Sequence, residues 1–447
     1  MDELVFADAN GSTPMPPQVI DAWVAASNRG DPLDGSFAVA EETQKLLARF
    51  RKQIERESGL DADDFRFVFT SGVAEANILM LDSCVNALRA AGHNTPHVII
   101  GAAEADSIRN YAEQLSAQRR CRLSYAIIDP ETGTPTPETI RALVRSDTCL
   151  ITVAAANPLT GALTNLPEIA KVCFTDTFAT FRGAENKKRR IPLHTDASAL
   201  FARSLLYPNE LNVDAYSVSF HLMHGPPGFG FLALRNSLAE DYHLQSLISG
   251  RPLNLPALAA SRVAHQYTLE DRSKKNADLA YNISGIERAL RGLEDTFVCF
   301  DYPEAPPPYL EKCAEAAKSK QSQSAADALV PTDLPTPEKP EVIFLCPAPV
   351  KRRLPNTLLF AIRESSGRSA VDLQKVLEEE HKVLCRGYRK GNRQLLALRV
   401  PSVLHANVIR ISLPDGISKK AAQAVVRALV HAVKAPPLTA RALRAPP

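Results

Sequence analysis

The chain has 447 residues, of which 45% are hydrophobic, and a formal net charge of +2. This length exceeds that of one ordinary domain, while the nearly balanced charge gives no overall attraction to nucleic acids or anionic membranes. No apolar run approaches the ~20 residues that span a bilayer, and nothing near Met1 resembles a secretory signal, so we expect a cytoplasmic protein. The eight cysteines lack metal-ligand spacing and are interpreted as reduced, mostly buried thiols.

Helical and extended patterns alternate through the first part of the chain. Apolar residues at helical spacing between Thr43 and Ile54 predict a helix that ends at Gly59. Short apolar runs predict strands at Arg66–Thr70, His97–Ile100, Leu123–Ile128, Leu150–Ala154, Leu193–Asp196, Ala215–Ser219 and Phe229–Leu234. This alternation is typical of a mostly parallel sheet with helices on both faces, so residues 15–265 are predicted to form a large α/β domain.

The pattern changes after residue 265, where a smaller α/β domain is predicted. Its predicted elements are a charged helix around 270–294, a strand at Leu358–Ile362, a helix near 370–380, a strand at 408–412 and a helix near 419–433. Residues 302–355 hold 11 of the 33 prolines and are predicted to be a long flexible insertion, followed later by a flexible tail from residue 436. The predicted small domain comprises residues 1–14 and 266–447.

Several predicted strands end beside residues that can bind a ligand, namely Gly72, Asp196, Ser219 and His221. In doubly wound sheets, ligands bind beyond the carboxyl ends of the strands, so we expect these residues to converge. Gly72 also precedes a predicted helix. The backbone N–H groups at its start, including those of Val73 and Ala74, can hold an anion.

Short motifs follow one another in a fixed order along the chain. They are Phe6–Pro14, Gly30–Pro32, Phe69–Asn77, His194–Ala199, Ser217–Gly228, Leu354–Leu358 and Ile409–Leu413. In this order they resemble the cysteine desulfurases, or NifS-like proteins, of the class V aminotransferase family. The resemblance implies a fold-type-I pyridoxal-phosphate transferase architecture, with a mostly parallel central sheet and a smaller C-terminal α/β domain. It also implies a homodimer, in which Asn254 takes the place of a threonine that family members contribute across the subunit boundary.

The resemblance assigns cofactor roles to residues that this chain keeps. Asp196 matches the aspartate that pairs with the pyridine nitrogen of pyridoxal 5'-phosphate. Ser219 and His221 match ligands of the cofactor phosphate, which the amides after Gly72 would complete. Ala74 lacks the threonine hydroxyl that family members add to this phosphate subsite.

Asn157 and Arg410 also correspond to functional positions of the family. Asn157 stands one residue out of register with the asparagine that reaches the cofactor ring hydroxyl in the family. It also precedes Pro158, which restricts its backbone. Arg410 matches the arginine that binds the substrate carboxylate.

The resemblance also shows what has been lost. Leu222 occupies the position of the lysine that forms the Schiff base with the cofactor, and leucine has no amine. Ala105 replaces the histidine that stacks on the ring, although the preceding Glu104 is kept, and Ala199 replaces a glutamine. The family's sulfur-accepting cysteine would lie near Lys390, and Cys385, about five residues earlier, is the remaining candidate nucleophile.

Where that cysteine is expected, the loop is basic. Arg386, Arg389, Lys390 and Arg393 surround Tyr388. One interpretation is solvated loop charge; the other is a converted active-site rim that binds an acidic partner or phosphate.

Two other basic runs allow two interpretations each. Lys187–Arg190 and Lys351–Arg353 are either solvated loops or patches for nuclear import or polyanion binding, and solvated loops are the favoured interpretation.

Two hypotheses of function follow from these losses and retentions. The first is a catalytically degenerate desulfurase homologue, or pseudoenzyme, that serves as a homodimeric scaffold or binding protein. The second is an enzyme of altered chemistry that binds pyridoxal phosphate weakly and non-covalently through Asp196 and His221, with Arg410 for substrate.

Overall fold

The computed structural model describes residues 4–28, 38–60, 64–174, 190–241, 254–291, 297–299, 342–345, 353–362, 369–400 and 402–434. Fourteen α-helices lie in these ranges. They are α1 Pro17–Ser27, α2 Ala38–Glu57, α3 Val73–Ala90, α4 Asp106–Ala117, α5 Pro137–Arg141, α6 Leu166–Val172, α7 Ser198–Phe201, α8 Pro208–Leu211, α9 Asn236–Asp241, α10 Leu255–Leu269, α11 Arg272–Arg291, α12 Ala370–His381, α13 Arg393–Ala397 and α14 Lys419–Lys434. None of these described helices is both long and apolar enough to cross a membrane.

The same ranges contain fourteen strands. They are β1 Val5–Phe6, β2 Phe65–Thr70, β3 His97–Gly101, β4 Arg122–Ala126, β5 Thr148–Thr152, β6 Leu193–Asp196, β7 Ala215–Ser219, β8 Gly230–Arg235, β9 Phe297–Cys299, β10 Val342–Phe344, β11 Thr357–Ile362, β12 Val383–Leu384, β13 Arg386–Gly387 and β14 Val408–Ser412. The seven strands predicted between residues 66 and 234 all form, with ends that differ from the predicted ones by at most two residues.

Strands β2 to β8 form one seven-stranded sheet in the order β2-β8-β7-β6-β5-β3-β4. Strand β8 runs antiparallel to both of its neighbours, and the other strands are parallel to one another. The prediction of a mostly parallel central sheet is confirmed. Because parallel strands share one carboxyl edge, the loops after β2, β3, β5, β6 and β7 meet along that edge.

A hydrophobic core covers each face of this sheet, because successive side chains of a strand point to opposite faces. Ile99 and Ile151 pack in one core, which also contains Tyr216. Val98 and Leu150, the neighbouring residues on the same strands, pack in the other core. This arrangement explains why the buried parallel strands appear in the sequence as continuous apolar runs.

A second sheet, in the order β13-β14-β11-β10-β9, belongs to the smaller domain and is antiparallel except between β9 and β10. Its core takes Leu279 from α11, Leu377 from α12 and Leu429 from α14. Strand β1 pairs with β12, and Val5 and Ala7 are buried in the same core. Residues 5–7 therefore pack with this domain.

The C-terminal boundary predicted for the insertion over 302–355 lies too late in the chain. Residues 342–344 form β10. Leu354 is buried, and the preceding Arg353 forms an ion pair with Glu287 at 2.8 Å. Short apolar runs such as Val342–Phe344 can still join a sheet when their neighbours are rich in proline. Residues 302–341 and 346–352 of the insertion, and the tail from 436, lie outside the described residues.

The close approach of β8 to the turn after β2 leads to a prediction of stability. A Cβ atom at Gly230 would lie 2.4 Å from the carbonyl oxygen of Val218 and 2.9 Å from the Cα of Gly72. We expect Gly230→Ala to destabilise the fold by about 1–3 kcal/mol, because the backbone must shift to admit the methyl group. Differential scanning calorimetry should show a lower unfolding temperature.

Gly285→Ala is the matched control for this substitution. Gly285 lies inside α11, and a Cβ atom there would meet nothing within 4 Å beyond its own helix. Alanine should stabilise this helix by up to about 1 kcal/mol. An unfolding temperature for Gly230→Ala equal to that of the wild type would contradict the steric argument.

Candidate functional site

Strand ends of the large sheet bring several predicted site residues together. Asp196 ends β6, and its Oδ1 accepts a hydrogen bond from the backbone N–H of Ser198 at 3.0 Å. Its Oδ2 accepts from Nδ2 of Asn77 in α3 at 3.3 Å. The Asp196 side chain is half-buried, and burial raises the pKa of its carboxyl group, against the lowering effect of these hydrogen bonds.

The residues predicted to hold a phosphate also lie together. The hydroxyl of Ser219 is 2.6 Å from Nδ1 of His221, and a Cβ atom at Gly72 would lie 3.6 Å from that hydroxyl oxygen. Helix α3 begins directly after Gly72, and the amides of Val73 and Ala74 in its first turn have no acceptor within the helix. Burial lowers the pKa of His221, so its imidazole is neutral at pH 7. Helix amides, a hydroxyl and an imidazole are groups that can hold an anion.

The position expected for the cofactor lysine has become part of the packing. Leu222 lies in a single 3-10 turn, Phe220–Leu222, where its side chain is 8% exposed and joins a core of the large domain. The N–H and the hydroxyl of Thr13 both donate to the carbonyl of His221 at 2.8 Å, which holds this turn in place. Residues 215–235 contain no lysine. The local structure therefore offers no amine to a cofactor.

A buried carboxyl group lies beside the lost histidine position. Ala105 directly precedes α4, and Oε1 of the neighbouring Glu104 accepts from the N–H of Ala154 at 2.7 Å. Within the described part of the chain, Oε2 of Glu104 is buried without a hydrogen-bond partner. Burial, reinforced by the charge of Asp196, raises the pKa of Glu104 to about 8. Burial therefore favours the neutral form of Glu104, and its carboxyl group lies close enough to Asp196 to interact with it electrostatically.

Asn157 is only partly available to a ligand. Its Oδ1 accepts from the N–H groups of Leu159 and Thr160 at 2.8 and 3.2 Å, so the amide oxygen caps its own turn. The Nδ2 group is the part left for the predicted contact with a ring hydroxyl. Ala199 is buried in α7 and contributes a methyl group where the family has a glutamine amide.

The predicted substrate arginine is already paired within the chain. Nη2 of the buried Arg410 is 2.5 Å from Oδ1 of Asp8, and its Nη1 donates to the carbonyl of Pro158 at 3.1 Å. The other oxygen of Asp8 accepts from Nε and Nη2 of Arg386 at 3.0 and 2.8 Å. A substrate carboxylate would therefore compete with Asp8 for Arg410. The two arginines and one carboxylate leave one net positive charge.

A cavity of about 540 Å³ lies beside this triad. Its lining includes Arg410, Asp106 and Pro158, and the last two directly follow Ala105 and Asn157 in the chain. Residues 386–392 also line the cavity, and Arg386, Arg389 and Lys390 among them are exposed.

The fourth basic residue of this loop is held elsewhere. Arg393 forms an ion pair with Glu113 of α4, in which its Nη1 and Nη2 donate at 3.0 and 2.7 Å. Three of the four predicted basic residues therefore line the cavity.

Cys385 is not suited to act as a nucleophile. Its side chain is 5% exposed and packs in the core of the small domain. Burial raises the pKa of the thiol to about 12, so the reactive thiolate is not populated at neutral pH. The structure contradicts the hypothesis that this cysteine replaces the missing one. Its side chain points into the core because alternate residues after β12 face opposite sides.

The remaining predicted site residues make contacts within the chain or lie outside the described residues. Arg190 pairs with Asp214 at 3.1 Å, while 187–189 are not described. Asn254 caps α10, its Oδ1 accepting from the N–H of Ala257 at 3.0 Å, and the preceding residues 242–253 are likewise outside the described part.

Sequence reasoning missed the polar residues of the N-terminal segment as part of the site. Asp8 alternates with the buried Ala7 and Ala9, and Asn10 follows with the same period of two. Nδ2 of Asn10 donates to the carbonyl of Pro158 at 2.9 Å. This alternation in the sequence is a signal that Asp8 and Asn10 face the same side.

The sequence of the chain is similar to those of known proteins. The family model described as aminotransferase class-V matches residues 5–264. A selenocysteine lyase of Bos taurus is 27% identical over 96% of this chain and 93% of its own length. A NifS-like protein of African swine fever virus is 24% identical over 86% of this chain and 87% of its own length.

Solved structures show the same fold at lower identity. A NifS-like protein aligns with a TM-score of 0.72 and 17% identity over 96% of this chain and 98% of that one. A NifS-like protein from Rickettsia africae aligns with a TM-score of 0.71 and 17% identity over 97% of this chain and 100% of that one. The predicted fold-type-I architecture is confirmed, and the chain belongs to the class V aminotransferase family, among relatives that include NifS-like proteins and cysteine desulfurases.

Proposed function

We propose that this protein is a catalytically degenerate relative of the cysteine desulfurases and selenocysteine lyases that serves as a homodimeric scaffold or binding protein. The observation that carries the proposal is Leu222, a buried apolar side chain at the position of the cofactor lysine. Ala105 at the stacking position and the buried thiol of Cys385 support it. Loss of groups that act as a unit costs a factor of about 10³ or more in rate.

The arginine that would receive a substrate carboxylate supports the same proposal. Asp8 supplies Arg410 with an internal carboxylate and shares it with Arg386. Separating a buried, hydrogen-bonded ion pair is costly, because the charge left behind has no partner. An amino-acid substrate would therefore bind here more weakly than at an unpaired arginine.

Part of the site nevertheless fits pyridoxal 5'-phosphate. The amides after Gly72, with Ser219 and His221, suit its phosphate, and Asp196 suits its pyridine nitrogen. A buried carboxylate without a cationic partner is costly, so a protonated pyridine nitrogen would stabilise the ionised form of Asp196. When bound, this cofactor supplies an electron sink for reactions at an amino-acid α-carbon.

These retained residues favour a second candidate function, an enzyme of altered chemistry that holds the cofactor non-covalently. In this alternative, Ser219 and His221 fix the phosphate, and Asp196 holds the proton on the ring nitrogen. Glu104, whose pKa is raised by burial, would be the acid that passes a proton. Its substrate would be an amino acid whose carboxylate displaces Asp8 from Arg410.

We further propose that the exposed basic residues of the cavity bind phosphate groups or an acidic partner. Arg386 is partly neutralised by Asp8, whereas Arg389 and Lys390 are exposed on the same loop. Three further expectations stay predictions. They are location in the cytoplasm, nuclear import through Lys187–Arg190, and a homodimer with Asn254 at the subunit boundary. Sedimentation velocity would test the dimer directly.

Covalent attachment of the cofactor gives the first test. After incubation with pyridoxal phosphate and reduction with borohydride, mass spectrometry should find no pyridoxyl adduct within residues 215–235, because Leu222 has no amine. Sulfide and selenide release from cysteine and selenocysteine should equal the rate without protein. A stoichiometric adduct on a pocket lysine elsewhere in the chain would overturn the assignment as a degenerate enzyme.

Restoring the amine gives the second test. After removal of unbound pyridoxal phosphate by gel filtration, Leu222→Lys should retain the cofactor and absorb above 320 nm, because burial lowers the pKa of the new lysine and leaves it unprotonated. Leu222→Met is the matched control, with similar length and no amine, and it should stay colourless. A colourless Leu222→Lys that unfolds at the wild-type temperature would mean that the cofactor pocket has closed.

Calorimetry separates the two candidate functions. Titration of the wild type with millimolar pyridoxal phosphate should show weak, reversible binding, and Asp196→Ala should abolish it because the ring nitrogen loses its partner. The variant must first be shown to unfold at the wild-type temperature. Absence of heat from the wild type would exclude the cofactor-binding enzyme and leave the scaffold.

Phosphate binding at the basic loop is testable with inorganic phosphate. The double variant Arg389→Ala, Lys390→Ala should lose the heat of phosphate binding that the wild type shows. Arg393→Ala is the control, since Glu113 already pairs with that arginine, and it should bind as the wild type does. If Arg393→Ala lost as much heat of phosphate binding as the double variant, phosphate would be attracted by the overall charge of the loop and not bound at a defined site.

A further inference from the structure

A cluster of metal-ligating side chains lies in the small domain, apart from the cavity. Glu380 and His381 end α12, and His431 lies in the last turn of α14. One ligand atom from each residue lies within 4.8 Å of the others, and Nε2 of His381 is 2.9 Å from Nδ1 of His431. The two rings are nearly perpendicular, at 71°, with centroids 4.9 Å apart.

Two packed helices hold these side chains. Leu377, one turn before His381, is fully buried, and so are Leu429 and Ala432 on either side of His431. All three belong to the same core of the small domain. The backbone on both sides of the cluster is thereby fixed before any ligand binds, so a ligand would find the imidazoles already in place.

The chemistry of the cluster selects the kind of ligand. Two imidazole nitrogens at 2.9 Å share one proton, with one ring donating and the other accepting. A divalent cation can take the place of that proton. Imidazole nitrogen with one carboxylate oxygen suits Zn²⁺, Cu²⁺ and Ni²⁺, whereas Mg²⁺ and Ca²⁺ require mainly oxygen ligands.

We propose that Glu380, His381 and His431 bind a divalent transition metal ion, with Zn²⁺ as the expected occupant. Zn–N bonds of about 2.0–2.1 Å in tetrahedral geometry place two nitrogens about 3.3 Å apart, so the rings need to separate by only a few tenths of an ångström. Three protein ligands leave the fourth position to water. The exposed Glu380 and His431 give the ion a path from solvent.

Such a metal would act on the segment that carries the basic loop. Helix α12 runs directly into β12 and β13, and Arg386 follows His381 by five residues. A metal ion that links α12 to α14 would fix the end of α12, where this segment begins. The metal would therefore restrict movement of α12 relative to the rest of the small domain.

The experiment uses the full chain, freed of metal with a chelator and titrated with Zn²⁺ by isothermal calorimetry. We expect one equivalent bound per chain, a higher unfolding temperature with Zn²⁺, and no heat with Mg²⁺. Loss of a residue that only hydrogen-bonds a metal ligand weakens metal binding by roughly 10- to 100-fold. His381→Gln and His431→Gln should each weaken Zn²⁺ binding by more than this, because each removes a direct ligand. The control is His93→Gln, a partly exposed histidine of the large domain, which should bind as the wild type does.

Electron paramagnetic resonance of the wild type with one equivalent of Cu²⁺ provides a readout that needs no variant. Hyperfine coupling to two imidazole nitrogens is expected. The proposal is overturned if the wild type takes up no Zn²⁺ or shows no nitrogen coupling. It is also overturned if both glutamine variants keep wild-type affinity while unfolding at the wild-type temperature in chelator.

Discussion

The arrangement of the site depends on one segment, residues 4–14, which connects the two domains. Thr13 holds the turn that contains Leu222, through two hydrogen bonds to the carbonyl of His221. Asp8 pairs with arginines of β13 and β14, and β1 adds to β12. A short segment with so many buried polar contacts cannot be displaced without leaving charges unpaired. The large-domain turn, the small-domain sheet and the cavity between their residues are therefore held by the same few bonds.

Buried carboxyl groups determine what the site can accept. Asp8 is satisfied by two guanidinium groups, whereas burial raises the pKa of Glu104 and Asp196. Asp8 thus already occupies the position where a substrate carboxylate would bind. The raised pKa values of Glu104 and Asp196 favour their protonated forms or a cationic ligand beside them. Leu222 supplies no amine beside these carboxyl groups, and residues 215–235 contain no lysine.

Packing and catalysis make different demands on the same positions of this fold. Leu222 adds apolar contacts to a turn where a lysine would have to be kept unprotonated and partly unsolvated. Ala105 is the N-cap residue of α4, and Ala199 is buried in α7. A fold supports many functions, and the residues at the strand ends decide among them. The retained residues Ser219, His221 and Asp196 belong to the sheet edge itself.

Sequence alone determined the strands, their parallel arrangement and the convergence of Gly72, Asp196, Ser219 and His221, because period and strand order are local and topological properties. It also identified Leu222, since an amine is either present or absent at a position. Only the tertiary structure decided that Cys385 faces the core, that Arg393 pairs with Glu113 and that Asp8 occupies Arg410. The two ion pairs join residues 280 and 402 positions apart, and the burial of Cys385 depends on the face that a short segment turns inward. A sequence pattern specifies neither.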